Sequence, residues 1–138
     1  MHDNLKKLVG TSKEDFERWY EKANPWGFDN SFNDRSRQSI LLEYIRHGRF
    51  KKCLDIGCAE GVLSKNIAKY VDHLDAFDIS GKAIKRAIAV RQDEKINYYQ
   101  KDARDFRANN SYDLIVCSEV LYYSVKPGMI TFEFMDRP

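Results

Sequence analysis

A loop of small residues follows a short apolar segment in the first half of the sequence. It reads DIGCAEG at positions 55–61 and precedes a helical pattern. Gly57 permits a tight turn, and Ala59 and Gly61 are small enough for a ligand to approach the backbone and the start of the next helix. The spacing is GxAxG instead of the GxGxxG of dinucleotide binders, and Glu60 would repel a pyrophosphate. The loop therefore indicates a nucleotide-like ligand that lacks a pyrophosphate.

Single acidic residues follow the next two apolar segments. Asp78 lies 17 residues after Gly61, where a carboxylate can accept two hydrogen bonds from a ribose diol. Ile79 beside it could cover one face of an adenine ring, and Asp102, followed by Ala103, could accept a hydrogen bond from the exocyclic amine of that base. Each acid also has an ordinary alternative, because Asp78 could cap a helix and Asp102 could belong to a turn.

The elements that would position these residues alternate between strands and helices. Apolar segments predict four strands, over 53–57, 73–78, 96–99 and 112–117. Helical patterns over 62–71 and 81–90 separate the first three. This alternation is typical of a parallel sheet with right-handed crossovers. In such a sheet ligands bind beyond the carboxyl ends of the strands, so we predict an α/β fold with its site at that edge.

The region before the first strand is predicted to be helical. Thr11-Ser12, followed by two acids at 14 and 15, is a capping signal for a short helix that ends before Asn24-Pro25, and residues 24–30 are predicted to be a loop. A second helix is predicted from Phe32 to Gly48. Its apolar residues are expected on one side: Ile40, Leu41, Tyr44 and Ile45. We therefore divide the chain into an N-terminal helical lid segment, 1–48, and an α/β core, 49–138.

Composition and charge exclude several classes of protein. The 138 residues are 43% hydrophobic and 32% charged, with a net charge of +2. Basic residues are scattered among the acids, so no nucleic-acid partner is predicted. The apolar runs are far shorter than the ~20 residues that cross a bilayer, and no apolar signal segment begins the chain. We therefore expect no membrane partner and a cytoplasmic location, whereas the oligomeric state stays open.

Cysteines and histidines give no sign of a metal site or a disulfide. Cys53, Cys58 and Cys117 form no CxxC pair and are predicted to be reduced thiols. The three histidines lie far apart along the chain. No metal is therefore predicted.

Four segments together resemble the successive motifs of class I S-adenosylmethionine-dependent methyltransferases. They are CLDIGCAEG at 53–61, FDIS at 77–80, QKDAR at 100–104 and YDLIVCSEVLYY at 112–123. Upstream, NPWG at 24–27 and SFNDR at 31–35 are similar to the nodulation protein S (NodS) family. The resemblance implies a Rossmann-like methyltransferase fold, with a parallel sheet and helices on both faces.

The resemblance also implies a binding site for S-adenosylmethionine, with S-adenosylhomocysteine as product. Arg35 could pair with the carboxylate of this cofactor, and Trp26 with Phe32 would form part of a lid. Packing between helices remains an alternative for Trp26 and Phe32, as does a plain surface role for Arg35. The implied cofactor-binding residues are Trp26, Arg35, Asp55, Gly57, Ala59, Gly61, Asp78, Ile79, Asp102, Ala103 and Ser118.

The function implied is methyl transfer to a small-molecule acceptor. Such a displacement needs alignment of the two reactants and no covalent intermediate. Glu119, after the fourth strand, is the candidate base for an amine acceptor, with a loop or capping role as its alternative. By resemblance the acceptor could be the amino group of a glucosamine-type saccharide. The absence of an Asn-Pro-Pro-Tyr-like box after the fourth strand argues against planar base or amide nitrogens.

The sequence departs from the family pattern in two places. Phe32-Asn33-Asp34 stands where the family prefers a Tyr and a more basic stretch. Residues 125–138 are too few for a further helix, strand and hairpin. We therefore expect a fold that lacks its last strands, through truncation or deletion, with an unrelated tail sequence as the alternative. The alternative function is a catalytically incompetent remnant that binds S-adenosylmethionine, whereas GxAxG disfavours a nicotinamide oxidoreductase.

Overall fold

The computed structural model describes residues 12–25, 32–107 and 111–118, without the side chains of residues 32–34. Predictions for Trp26, Phe32, Glu119 and the last strands therefore lie outside what is described. The elements, in chain order, are α1 (Lys13–Trp19), α2 (Phe32–Gly48), β1 (Lys52–Ile56), α3 (Val62–Ile67), β2 (His73–Asp78), α4 (Gly81–Val90), β3 (Ile96–Gln100), a 3-10 turn (Ala103–Asp105) and β4 (Leu114–Cys117).

The four described strands form one parallel sheet in the order β3-β2-β1-β4. Cys53 of β1 lies beside Leu74 of β2 on one side and Leu114 of β4 on the other. The order of the strands reverses direction between β1 and β4, and such a switch point opens a crevice at the carboxyl ends of the strands. The predicted α/β fold with a parallel sheet is confirmed.

The main core lies between one face of this sheet and helices α2, α3 and α4. Neighbouring residues of a strand point to opposite faces, so Leu74 and Ala76 of β2 share this core, in which Ile45, Ile67 and Ile84 come from the helices. Helix α1 packs on α4. In the part of the chain that the structure describes, the α-helices therefore cover one face of the sheet, and the predicted helices of the other face are not among the described residues.

The opposite face carries a smaller aromatic cluster. Leu54 and Ile56 of β1 contact Phe77 of β2 there. The ring of Phe106 stacks on that of Phe77 with 5.1 Å between the ring centroids. The 3-10 turn before Phe106 thus brings an aromatic side chain onto this face beside the end of β3.

Side-chain caps set the start of two helices. Ser12 caps α1, since its Oγ accepts from the Asp15 backbone N–H at 3.2 Å while the Asp15 carboxylate accepts from the Ser12 N–H at 3.1 Å. This is the predicted capping signal. Ser80 caps α4, with Oγ accepting from the Ala83 N–H at 3.1 Å. The cap of α4 is therefore Ser80, and the carboxylate of Asp78 has other partners.

The predicted apolar side of α2 is wrong in part. Ile45 is fully buried, whereas Ile40 is 74% exposed and Tyr44 is 64% exposed. Successive residues of a helix are about 100° apart, and the face of α2 toward the core is centred on Ile45, with Leu41 and Leu42 to either side of it. Ile40 and Tyr44 lie about 100° or more from Ile45 around the helix and are therefore on the outer side.

Several element ends also differ from the prediction. Strand β1 spans Lys52–Ile56 instead of 53–57, and β3 ends at Gln100 instead of 99. Helix α3 ends at Ile67 instead of continuing to 71. The Lys95 ammonium donates to the carbonyls of Ala68 and Val71, at 3.2 Å each, and so stabilises the chain beyond that end. Strand β4 begins at Leu114 instead of 112.

Three further expectations concern absences. Among the described residues, no helix is both long enough and apolar enough to span a bilayer. The described His, Cys, Asp and Glu residues include no group of three or more that could hold a metal ion. Cys53, Cys58 and Cys117 are free thiols.

Candidate functional site

A cleft opens at the carboxyl ends of β1 and β4. Its position is the switch point of the sheet, where ligands bind in folds of this kind. Four of the predicted site residues line the cleft: Asp55, Gly57, Ala59 and Ser118. The other lining residues are Asn24, Arg37, Gln38, Leu41, Cys58, Glu60, Val62, Leu63 and Arg91.

The loop after β1 is held against the end of β2 by its own backbone. The N–H groups of Gly57 and Cys58 both donate to the carbonyl of Phe77, at 2.8 and 2.9 Å. The next N–H, of Ala59, donates to Oδ2 of Asp78 at 2.9 Å. Gly57 and Ala59 adopt left-handed backbone angles, with φ of 74° and 52°. Such angles cost an alanine energy, so the surrounding contacts must stabilise the turn.

Gly61 is small because of contacts inside the protein. Its φ is 85°, and a Cβ placed there would lie 2.7 Å from Oη of Tyr98 and 3.1 Å from Cβ of Ala87. The Tyr98 hydroxyl donates to the carbonyl of Arg91 at 3.1 Å. Gly61 does not appear among the residues that line the cleft. The predicted reason for a small residue here was the approach of a ligand. The structure shows a second reason within the protein, which is close packing between the loop, α4 and β3.

Asp78 is buried at the end of β2, where it joins two segments of backbone. Oδ1 accepts from the Ser80 N–H at 2.9 Å, and Oδ2 accepts from the Ala59 N–H. Burial raises the pKa of this carboxyl to about 6, although both hydrogen bonds act to lower it. Each oxygen keeps a lone pair for a further donor. Asp78 lies directly behind the loop and is not itself a lining residue.

Asp55 is the second buried acid beside the cleft. It lies in β1, is 2% exposed, and its Oδ2 accepts from the Ser64 hydroxyl at 2.6 Å. Burial raises its pKa to about 7; the hydrogen bond from Ser64 lowers the pKa, and the charge of Asp78 raises it further. Two carboxyls in a low-dielectric site favour a cationic ligand, because a positive charge would stabilise their ionised forms.

Asp102 has a more exposed setting than Asp78. It caps the 3-10 turn, and its Oδ1 accepts from the Arg104 N–H at 2.9 Å. The Arg104 guanidinium pairs with the same carboxylate, with Nη2 2.5 Å from Oδ2, and these bonds hold the pKa of Asp102 below its usual value. Asp102 and Ala103 do not line the cleft. The structure thus gives Asp102 the turn role that was its alternative, while its place at the sheet edge leaves an adenine role open.

The remaining predicted residues are divided between the cleft and the surface. Ser118 is exposed and lines the cleft beyond β4, whereas Arg35 is exposed on α2 outside the cleft. One half-turn further along α2, Arg37 and Gln38 are lining residues. Ile79 is half-buried, and its carbonyl accepts from the side-chain amide of Gln100 at 3.1 Å.

The contact between Glu60 and the chain before α2 is not predicted by the sequence. Oε1 of Glu60 accepts from the Asn24 N–H at 2.5 Å, across 36 residues of chain. The Glu60 carbonyl accepts from Nη1 of Arg91 at 3.2 Å. Local pattern reading gives no signal for contacts at such separations, so Asn24 and Arg91 were also missed as lining residues.

Comparison with known proteins identifies the family. Residues 10–129 match the family model for nodulation protein S (NodS). The chain belongs to the NodS family. It is 32% identical over 102 residues to nodulation protein S of Sinorhizobium fredii (strain NBRC 101917 / NGR234), an alignment that covers 72% of this chain and 47% of that relative. The expected resemblance to NodS is therefore confirmed.

A solved structure of the same family confirms the fold. The crystal structure of N-methyltransferase NodS from Bradyrhizobium japonicum WM9, in complex with S-adenosyl-L-homocysteine, superposes with a TM-score of 0.71 at 30% identity. That superposition covers 80% of this chain and 58% of the other. The predicted Rossmann-like methyltransferase fold is thereby confirmed for the described part.

The similarity extends to a second kind of methyltransferase. The chain is 32% identical over 82 residues to ubiquinone biosynthesis O-methyltransferase of Aromatoleum aromaticum (strain DSM 19018 / LMG 30748 / EbN1), covering 56% of this chain and 35% of that protein. The chain spans about half the length of the NodS relatives it matches.

Proposed function

We propose that this NodS-family chain binds S-adenosylmethionine in the cleft and that its methyl group passes to a small-molecule acceptor. The observation that carries the proposal is the hydrogen bond of 2.9 Å between the Ala59 N–H and Asp78. It joins the loop under the cleft to the strand-end carboxylate, at the point of the sheet where such ligands bind. The S-adenosylhomocysteine complex of the Bradyrhizobium NodS supports the same ligand class.

The residues present fit this cofactor. Asp78 retains acceptor capacity for ribose hydroxyls, and the loop from Gly57 to Gly61 offers a close backbone surface to the methionine part. Ser118 faces the loop across the switch point, from the end of β4. Arg37 lines the cleft and is better placed than Arg35 to pair with a carboxylate. Asp102 and Ala103 remain the proposed contacts for adenine, with Ile79 beside them.

The chemistry needs few protein groups. When bound, S-adenosylmethionine supplies an electrophilic methyl group on a sulfonium cation, whose charge suits the buried acids Asp55 and Asp78. The residues around the cleft would align the acceptor and exclude water. Burial raises the pKa of Cys58 well above its usual value and that of Cys117 to about 11, so both thiols stay protonated at neutral pH and are poor nucleophiles. Glu119 remains the proposed base.

For the acceptor we propose the amino group of a glucosamine-type saccharide. Membership of the NodS family supports a nitrogen acceptor, because the solved family member is an N-methyltransferase. A hydroxyl acceptor is the second candidate, supported by the likeness to a ubiquinone biosynthesis O-methyltransferase. The two candidates differ in whether a base must accept a proton from an ammonium or from a hydroxyl group.

The test separates binding from turnover. Isothermal titration of the full chain with S-adenosylhomocysteine is expected to show saturable binding that Asp78→Ala weakens. Transfer of labelled methyl from S-adenosylmethionine is then measured with a panel of amino sugars and a panel of phenols. Labelled amino sugar supports the proposal, and labelled phenol favours the second candidate. Binding without any labelled product would identify a cofactor-binding chain that lacks activity, and no binding would overturn the proposal.

A further inference from the structure

The segment of residues 12–25, named here the N-terminal segment, is held to α4 by its carbonyl groups. Nζ of Lys82 donates to the Glu17 carbonyl at 3.2 Å. Arg86 donates from Nη1 to the Lys22 carbonyl at 3.1 Å and from Nη2 to the Glu21 carbonyl at 3.2 Å. Carbonyls at and beyond a helix C-terminus lack partners within the helix and carry partial negative charge. Lys82 and Arg86 of α4 therefore supply hydrogen-bond donors to carbonyls at the end of α1 and just beyond it.

Glu60 makes the corresponding contact from the loop below the cleft. Its side chain is 11% exposed, and Oε2 lies 4.0 Å from Nη1 of Arg86. Oε1 accepts from the Asn24 N–H at 2.5 Å. A buried carboxylate needs such partners, because leaving it unpaired would be costly. Glu60 thus joins the loop, α4 and the last part of the N-terminal segment.

The Asn24 contact lies at the wall of the cleft. Asn24 and Glu60 both line it. Asn24 has a left-handed φ of 50°, a conformation that asparagine tolerates better than most residues. The bond to Glu60 uses the backbone N–H of Asn24, so the position of this wall depends on the carboxylate.

We propose that Glu60 is a positioning residue that fixes Asn24, at the end of the N-terminal segment, in the wall of the cleft. Its carboxylate sets the affinity for the ligand through Asn24. The identity of the ligand rests on the proposed function, whereas the anchoring of the wall does not. A glutamine retains an acceptor oxygen for the Asn24 N–H and loses the charge that faces Arg86, so Glu60→Gln should be milder than Glu60→Ala.

Limited proteolysis of the full chain tests the anchoring without ligand. Trypsin cleavage after Lys22 requires release of the carbonyl that Arg86 holds. We expect Glu60→Ala to accelerate that cleavage about tenfold, and Glu60→Gln to accelerate it less, with cleavage after Arg46 of α2 unchanged. The matched control is Glu94→Ala, at an exposed glutamate before β3, which should behave as the wild type.

Titration with S-adenosylhomocysteine tests the effect on the cleft. Glu60→Ala should weaken its affinity about tenfold, within the usual range of coupling between sites, and the ligand should slow cleavage after Lys22 in the wild type. Unchanged cleavage after Lys22 in Glu60→Ala would overturn the anchoring, as would equal acceleration at Lys22 and Arg46. Faster cleavage with unaltered affinity would overturn the positioning role. If the wild type binds no S-adenosylhomocysteine, the proposed function fails, while the cleavage rates still decide the anchoring.

Discussion

Asp78 and Asp102 hold similar places at the ends of neighbouring strands, in different surroundings. Asp78 is 7% exposed and accepts from backbone N–H groups of two separate segments. The side chain of Asp102 is 21% exposed and pairs with Arg104, two residues away. Tertiary structure positions Asp78, whereas a local turn positions Asp102. We expect the β1–β2 side of the site to be rigid and sensitive to change, and the β3 side to be tolerant.

The largest effect is expected at Gly61, on the rigid side. Gly61→Ala places a Cβ against Tyr98 in a left-handed backbone, and should lower the free energy of unfolding by about 2–4 kcal/mol. Urea denaturation measures the loss. Tyr98→Phe removes the closest atom, so the double variant should lose less than the sum of the single changes. A loss below about 1 kcal/mol would show that the loop adapts.

Asp78 should have the next largest effect. Asp78→Ala is expected to weaken S-adenosylhomocysteine binding roughly 100-fold, because two hydrogen bonds from ribose hydroxyls to a charged acceptor are lost. Titration calorimetry measures the change. Asp72→Ala, at an exposed aspartate before β2, is the control and should bind as the wild type. Equal affinities for the Asp78 and Asp72 variants would show that Asp78 does not contribute to binding.

The buried acids should make stability depend on pH. The pKa of Asp55 is raised from 3.8 to about 7, so between about pH 4 and 7 the folded protein keeps a proton that the unfolded chain releases. Stability from this group is therefore complete below about pH 4, decreases as pH rises, and levels off above about pH 7. Asp55→Asn should reduce the decrease between pH 4.5 and 8 by about 2 kcal/mol.

The measurement is urea unfolding of both proteins at several pH values. Some slope should remain in Asp55→Asn, because the pKa of Asp78 is also raised, to about 6. Identical slopes for the wild type and the variant would show that Asp55 titrates as an exposed acid does.

The smallest effect is expected at Asp102. Asp102→Ala should weaken S-adenosylhomocysteine binding by about fivefold or less, since one hydrogen bond to a partly exposed group is lost. Arg104→Met should change stability by less than about 1 kcal/mol, as is usual for an exposed ion pair. Calorimetry and urea unfolding measure the two. An effect of Asp102→Ala equal to that of Asp78→Ala would abolish the distinction between the two sides.

The sequence predicted elements well where apolar pattern and turn residues agree. Strand β2 at 73–78 and helix α4 at 81–90 have the predicted bounds, because Ser80 caps the helix directly after the strand. At β4, the Asp113 carboxylate accepts from the N–H groups of Lys51 and Lys52, at 2.7 and 3.1 Å, and the strand starts only after it. That interaction spans about 60 residues, so local pattern could not reveal it.

Residues of the candidate site could be predicted where a tight turn requires a particular type of residue. Gly57 and Ala59 line the cleft because the loop needs small residues with left-handed angles. Arg35 was chosen by motif, while the cleft is lined by Arg37, since the side chain that reaches a cleft depends on how the helix is rotated against the sheet. The contact between Glu60 and Asn24 is not predictable from the sequence for a similar reason, because the two residues are distant in the chain.

The loop after β1 has one more consequence. Three consecutive N–H groups, of Gly57, Cys58 and Ala59, have their acceptors at the end of β2: the Phe77 carbonyl twice and the Asp78 carboxylate once. Amide hydrogens held in this way exchange with solvent only when the segment opens. This irregular stretch of backbone should therefore exchange its amide hydrogens for deuterium about as slowly as the strands beside it. A movement of β2 would also move the loop that lines the cleft, because these three hydrogen bonds join the two.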